Sequence, residues 1–214
     1  KFFGLIPGFF SSVIAYFVSI FMGISPVRFN MPKIADYNAY IILKVILLAV
    51  LCAGVCILFA TAIHKTKFFL EKYFANSYIR AAVGGLIIVL LTVFMRTTDY
   101  NGAGMGIIKE AISGDAKNSA FLMKIIFTAI TVGAGFKGGE IVPTFFIGAT
   151  FGCFMGQVLG VDAGVSSALG LVALFSGMTK CPVTSLLLAA EVFGGSEIPL
   201  FFIVIVIAFI LSGS

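Results

Sequence analysis

The chain has 214 residues, of which 60% are hydrophobic and only 11% are charged. Soluble proteins carry roughly a quarter charged residues, because water must solvate their surfaces. The composition therefore excludes a soluble enzyme, a nucleic-acid-binding module and a disordered tail, and it indicates a polytopic membrane protein. The net charge of +5 is compatible with this class, because basic residues of membrane proteins collect in cytoplasmic loops.

Three long apolar segments occupy the N-terminal part of the chain. Residues 2–24 are long enough to cross a bilayer, and residues 41–63 form the clearest span. The second segment is expected to continue as an amphipathic helix over residues 65–74. A break at residues 75–77 then precedes the third segment, residues 79–95.

The connection between the second and third segments is basic, with four Lys or Arg residues and the single acid Glu71 between residues 65 and 80. Cytoplasmic loops carry the excess of Lys and Arg in membrane proteins. We therefore expect this connection in the cytoplasm. The same orientation puts Lys1 in the cytoplasm and residues 26–40 outside.

After Arg96 the apolar runs become short and are separated by glycine, and most of them are too short to cross a bilayer straight. Backbone breaks inside a membrane are tolerated only where they are buried in protein or line a wet cavity. Transporters use such broken helices to build ion sites from half-helix ends. The alternative is that the glycines merely allow close helix packing. The runs cover residues 105–112, 120–132, 144–159, 163–176, 183–193 and 199–211.

The cysteines and the histidine of this sequence do not indicate a metal site, a disulfide framework or a catalytic site. The four cysteines lie in or beside apolar runs, where a thiol behaves as a small hydrophobe. Cys52 and Cys56 share a helical face, but a metal site needs further ligands and His64 is two turns further on. We expect no metal, no organic cofactor and no disulfide framework. The chain also lacks a nucleophile paired with a base, so no enzymatic activity is expected.

The residue Lys124 interrupts the apolar run 120–132. Its ammonium group could face water in an ion pathway. Lysines near helix ends more often extend to the membrane interface, and this interpretation is preferred for Lys124.

The sequence GAGFKGGEIVPT, residues 133–144, predicts a helix break followed by a new helix that begins near Pro143. The amides of Glu140, Ile141 and Val142 then point along the axis of the new helix. Such an N-terminus carries about half a positive charge and several unpaired donors, so it attracts an anion without a full cation. The alternative is an ordinary corner between two helices.

The sequence Gly139-Glu140-Ile141-Val142-Pro143 resembles the G-x-F-x-P anion-binding motif in the second half of CLC chloride channels and chloride/proton antiporters, with Ile141 in place of Phe. The residues that follow, up to Gly160, are similar to the helix after that motif. The sequence GMTKCP at 177–182 together with Glu191 resembles the later pair of helices.

The resemblance covers essentially the whole chain, but only as the second half of a CLC subunit. It implies an all-α fold in which residues 1–214 form one transmembrane domain, the second of two inverted repeats with tilted and broken helices. The partner of this domain would be the N-terminal half of the subunit. Residues 2–24, 183–193 and 199–211 would form a homodimer interface, and the plasma membrane is the expected location.

The resemblance also implies that Gly139, Glu140, Ile141 and Val142 hold the transported anion, a bound chloride or fluoride ion. The family's gating and coupling glutamates lie in the other half, so a channel and an antiporter both stay open.

The Gly-Gly-Glu-x-x-Pro form resembles the fluoride/proton branch of the family, in which this glutamate belongs to the transport machinery. Glu140 is therefore a candidate for proton coupling, although Val142 stands where the branch tends to carry threonine. The alternative is that the Glu140 carboxylate satisfies the first-turn amides of its helix. Half of a non-CLC secondary transporter is the competing class, but intramembrane carboxylates for a cation site are scarce.

Overall fold

The computed structural model describes residues 5–24, 27–29, 31, 38–195 and 197–213, and these residues form nine α-helices without a β-strand. The all-α expectation is confirmed. The helices are α1 (Leu5–Phe21), α2 (Ala39–Tyr73), α3 (Ser77–Met95), α4 (Met105–Ile112), α5 (Ala120–Gly133), α6 (Ile141–Leu159), α7 (Ala163–Thr179), α8 (Pro182–Phe193) and α9 (Ile198–Leu211).

Local sequence signals explain several helix ends. The Asn76 side chain accepts a hydrogen bond from the Tyr78 amide at the start of α3, and Asp162 accepts one from the Val165 amide at the start of α7. Helix α6 ends at Leu159, and the φ of 62° at its C-cap Gly160 is left-handed and suits a residue without Cβ.

Three helices in the described part, α2, α3 and α6, are long and apolar enough to cross a membrane. Helix α2 runs unbroken for 35 residues, which confirms the amphipathic extension beyond residue 63. Helix α6 has 19 residues because it begins at Ile141, so it is an exception to the expectation that most runs after Arg96 are too short to cross a bilayer. Helix α1 has only 17 residues, fewer than expected from residues 2–24, of which residues 2–4 lie outside the described part.

Helix α7 is the centre of the bundle. Every residue from Gly164 to Gly177 is buried, and α7 packs against α2, α6 and α9 as well as α4 and α8. Such a helix is apolar on all sides because protein surrounds it. Helix α6 follows the predicted anion-binding motif. Helices α6 and α7 pack against each other more extensively than any other pair of helices in the described part.

Helices α1 and α3 lie at the edge of the bundle. All side chains of α1 from Ile6 onward are exposed except Ser19, which is half-buried. On α3 the residue Gly84 alone is buried, where it packs closely against Ala134. These faces carry large apolar side chains, as expected for helices that contact lipid or another protein.

Candidate anion site

A helix break precedes the predicted anion motif, as its glycines indicate. Helix α5 ends at Gly133, and Gly135 then adopts a φ of 94°, a left-handed conformation that glycine tolerates best. Residues 136–139 have no helical structure, and Glu140 is the N-cap of α6. We call residues 138–143 the cradle.

Close packing holds the end of α5 and the break in place. A Cβ on Gly133 would lie 3.0 Å from the Lys67 backbone nitrogen of α2, so no larger residue fits there without a shift. A Cβ on Gly135 would lie 3.6 Å from the Arg80 guanidinium. Arg80 Nη1 lies 3.9 Å from Glu71 Oε1. The break is therefore fixed against the cytoplasmic connection inferred from the sequence.

The first turn of α6 leaves its amides available. The Glu140 carbonyl accepts hydrogen bonds from the Thr144 amide at 3.1 Å and the Thr144 hydroxyl at 2.7 Å. The amides of Ile141 and Val142 precede the first intrahelical donor, and Pro143 has no N–H. Ile141 and Val142 are exposed. The predicted break and new helix are confirmed, but the helix begins at Ile141, so Pro143 is its third residue.

The carboxylate of Glu140 does not cap α6. Its side chain makes no capping hydrogen bond, so the helix-capping interpretation is wrong. Glu140 instead lines a cavity of about 460 Å³, which we call the cradle cavity. His64 of α2 and Lys180 after α7 line the same cavity. The acid thus shares a space with one basic and one titratable side chain from distant parts of the sequence.

The position of Lys180 is fixed by two helix ends. Its φ of 56° is left-handed and ends α7, and its amide bonds the Ser176 carbonyl. The ammonium group donates to the Phe209 carbonyl at 3.1 Å and to Ser212 Oγ at 2.7 Å. Unpaired carbonyls at helix C-termini attract cations. Lys180 is therefore held at the wall of the cradle cavity rather than extended into bulk water.

A second, smaller cavity also borders the cradle. Its volume is about 120 Å³, and Gly138, Gly139 and Pro143 line it together with Lys124 of α5. Lys124 is only 3% exposed. The expectation that its side chain extends to the membrane interface is therefore wrong. We call this space the lysine cavity.

The sequence located Gly139, Glu140, Ile141 and Val142, which are consecutive and lie within the cradle. It did not place Lys124, Lys180 or His64 beside them. Lys180 lies within the GMTKCP segment that resembles the family, but nothing in that segment indicates contact with α6 or α9. Among the described residues, His64 has no two further His, Cys, Asp or Glu side chains close enough to form a metal site.

Comparison with known proteins decides the family. The family model described as "Voltage gated chloride channel" matches residues 2–213. The chain belongs to this family. A solved structure titled as a CLC-type fluoride/proton antiporter is similar to 91% of the chain, with a TM-score of 0.86 and 27% identity, over 49% of its own length. The predicted CLC-type helical bundle is confirmed.

Individual relatives carry several names. A "Chloride/fluoride channel protein" of Pseudomonas syringae is 27% identical over 98% of the chain and 48% of its own length. A "Voltage-gated ClC-type chloride channel ClcB" of Salmonella typhimurium is 28% identical over 78% of the chain and 42% of its own. An "H(+)/Cl(-) exchange transporter ClcA" of Vibrio campbellii is 27% identical over 61% of the chain and 28% of its own. The chain spans about half the length of the Pseudomonas syringae relative and of the solved antiporter.

Proposed function

We propose that residues 1–214 are one transmembrane domain, the second half of a CLC-type halide transporter, and that this half supplies the central anion site. The start of α6 carries the proposal, because the amides of Ile141 and Val142 are free and point out of the helix. A backbone site of this kind attracts an anion and still releases it. The family and the names of the relatives support transport rather than enzymatic catalysis.

Fluoride with proton exchange is the second candidate. It is favoured by Glu140, whose carboxylate makes no capping bond and borders the cradle cavity beside His64 and Lys180. A carboxylate next to an anion site opposes anion binding unless it is protonated or turned away, so anion and proton binding become linked there. The fluoride/proton antiporter with a similar fold supports this alternative.

Transport by the complete protein in liposomes tests both candidates. Chloride or fluoride efflux is recorded with selective electrodes while a pH electrode follows proton movement. Fast chloride flux with little fluoride preference supports the chloride function, and a strong fluoride preference with opposed proton movement supports the alternative. Failure to move either halide would contradict the proposed function.

Glu140→Gln tests proton coupling without a large change in side-chain volume. Amide replacement removes proton exchange at this position, and we expect proton transport to fall by roughly tenfold or more. The matched control is Glu110→Gln, which removes an exposed carboxylate on α4 that lines neither cavity. Unchanged proton coupling in Glu140→Gln would exclude this residue from the proton path.

We further propose that the complete protein is a homodimer in the plasma membrane, with the N-terminal half of the subunit packed on the cradle side. Exposed apolar side chains on α1, α8 and α9 support an additional protein contact, among them Phe17, Leu187 and Phe202. These helices correspond to the segments in which the family resemblance puts the dimer interface.

A further inference from the structure

The strongest unexplained feature is the buried ammonium group of Lys124. It donates to the Tyr100 carbonyl at 3.1 Å and to the Gly102 carbonyl at 2.5 Å. It also lies 4.9 Å from the centre of the Phe146 ring, a favourable position for a cation. All three partners are neutral, so they solvate the charge without cancelling it.

No carboxylate in the described part of the chain forms an ion pair with Lys124. The ion pairs found there join Arg80 to Glu71 and Lys117 to Asp99, and both lie at partly exposed positions. A buried charge is costly without a counter-charge. Ionisable side chains inside a membrane usually mark an ion pathway for this reason. The missing counter-charge points to a negative ligand nearby.

The residues around Lys124 indicate where this negative ligand would bind. The lysine cavity is lined both by Lys124 and by Gly138, Gly139 and Pro143 of the cradle. Phe146, which lies beneath the ammonium group, belongs to α6 one turn after the cradle. The positive charge therefore borders the same cavity as two glycines and the proline of the cradle, where burial leaves it poorly screened by water.

We propose that Lys124 sets the anion affinity of the cradle through its buried charge, without touching the ion. This inference rests on the proposed halide transport. It assigns the lysine a positioning and electrostatic role distinct from that of the backbone amides. A remote charge strengthens binding while leaving the ion free to exchange water and leave, whereas a directly bound ammonium would retain it.

A purely mechanical role predicts something different. In that case Lys124 would only tie the loop at Tyr100 and Gly102 to α5, and any side chain that donates to the two carbonyls would serve. Lys124→Gln keeps a donor but removes the charge. Lys124→Met removes both, and Lys124→Arg keeps both. The three variants together separate charge from hydrogen bonding.

The test measures the halide dissociation constant of the complete protein by titration calorimetry, and the half-saturating halide concentration and maximum rate in liposomes. We expect binding about tenfold weaker in Lys124→Gln and Lys124→Met, with a smaller change in maximum rate, and Lys124→Arg within about twofold of the unaltered protein. The matched control is Lys117→Gln, an exposed lysine whose charge is screened by water, and it should bind normally.

A second pair of variants leaves Lys124 in place and so does not depend on how its substitutions fold. Thr128 is buried and lines the lysine cavity. Thr128→Asp adds a counter-charge beside the ammonium group, and Thr128→Asn has nearly the same shape without charge. We expect the aspartate variant to bind halide about tenfold more weakly than the asparagine variant.

Normal halide affinity in Lys124→Gln, or equal affinities in the two Thr128 variants, would overturn the electrostatic role. Weak binding in Lys124→Arg equal to that in Lys124→Gln would do the same, because charge would then not be the decisive property. If the unaltered protein neither binds nor moves halide, the proposed function fails and this inference fails with it. Normal transport with unaltered affinity in the variants overturns the inference alone.

Discussion

Helices α6 and α7 and helices α1 and α3 are similarly apolar, but they have opposite surroundings. In α7 every residue from Gly164 to Gly177 is buried. In α3 a single residue, Gly84, is buried, and α1 has none in its described part. Hydrophobicity therefore does not distinguish a core helix from a peripheral helix in this protein. The distribution of small residues does.

Glycine at every fourth position makes the close packing of α6 possible. Gly148, Gly152 and Gly156 lie on one face of the helix. A Cβ on Gly148 would lie 2.6 Å from the Gly170 carbonyl oxygen of α7, and a Cβ on Gly152 would overlap the Ser166 carbonyl. Helices in membranes associate by such close backbone contact. The helix that carries the cradle is thus held along its length.

The difference between these two pairs of helices shows which atoms must hold fixed positions for ion binding. The free amides of α6 can select an ion only if their positions are fixed, and packing against α7 fixes them. Helices α1 and α3 contribute no residue to either cavity except Ile88, so their outer faces are free to contact lipid or protein. Substitutions in the two regions should therefore differ in their effect.

The largest difference is expected between two phenylalanines. Phe146 of α6 is fully buried, whereas Phe94 of α3 is 83% exposed. Phe146→Ala leaves a cavity beside Tyr100 and Lys124 and should lower the free energy of unfolding by about 3 kcal/mol. Phe94→Ala is the control and should change it by less than about 0.5 kcal/mol. Unfolding in mixed detergent micelles measures both, and similar losses would contradict the contrast between the two regions.

A smaller effect is expected from two glycine substitutions of identical chemistry. Gly152→Ala forces α6 away from the Ser166 carbonyl and should destabilise the protein by about 2 kcal/mol. Gly54 of α2 has no atom within 4 Å of its ideal Cβ position, so Gly54→Ala should be neutral or slightly stabilising. Thermal unfolding, followed by size-exclusion chromatography, measures the melting temperature of each of the two variants. Equal melting temperatures would mean that α6 and α7 can separate without cost.

The smallest effects on stability are expected from two substitutions of exposed residues, which serve to locate the dimer interface by cross-linking. Leu187 of α8 and Leu90 of α3 are 66% and 59% exposed. Each is replaced by Cys in a Cys181→Ser background, since Cys181 is the exposed one among the four cysteines. In membranes, a short bifunctional maleimide should give a dimer with Leu187→Cys and none with Leu90→Cys. A dimer through Leu90→Cys alone would move the interface from α8 to α3.

Much of the local structure could be predicted from the sequence. The bounds of α4 agree with the predicted run at both ends, and those of α5 and α9 within one residue. Apolar periodicity and Gly, Asn and Asp at helix ends act over a few residues, so a single sequence contains them. The same locality made α6 two residues too short in the prediction, because Pro143 was taken as its first residue rather than its third.

The sequence by itself determined the membrane class, the helices and the cradle at Gly139, Glu140, Ile141 and Val142, because composition and turn chemistry are local properties. Only the tertiary structure decided what surrounds the cradle. It buried Lys124 at a cavity that Gly138 and Gly139 also line, and it brought His64, Lys180 and Glu140 to the wall of another. Those neighbours belong to α2, to α5 and to the residue that follows α7, and long-range packing sets their positions rather than any pattern of adjacent residues.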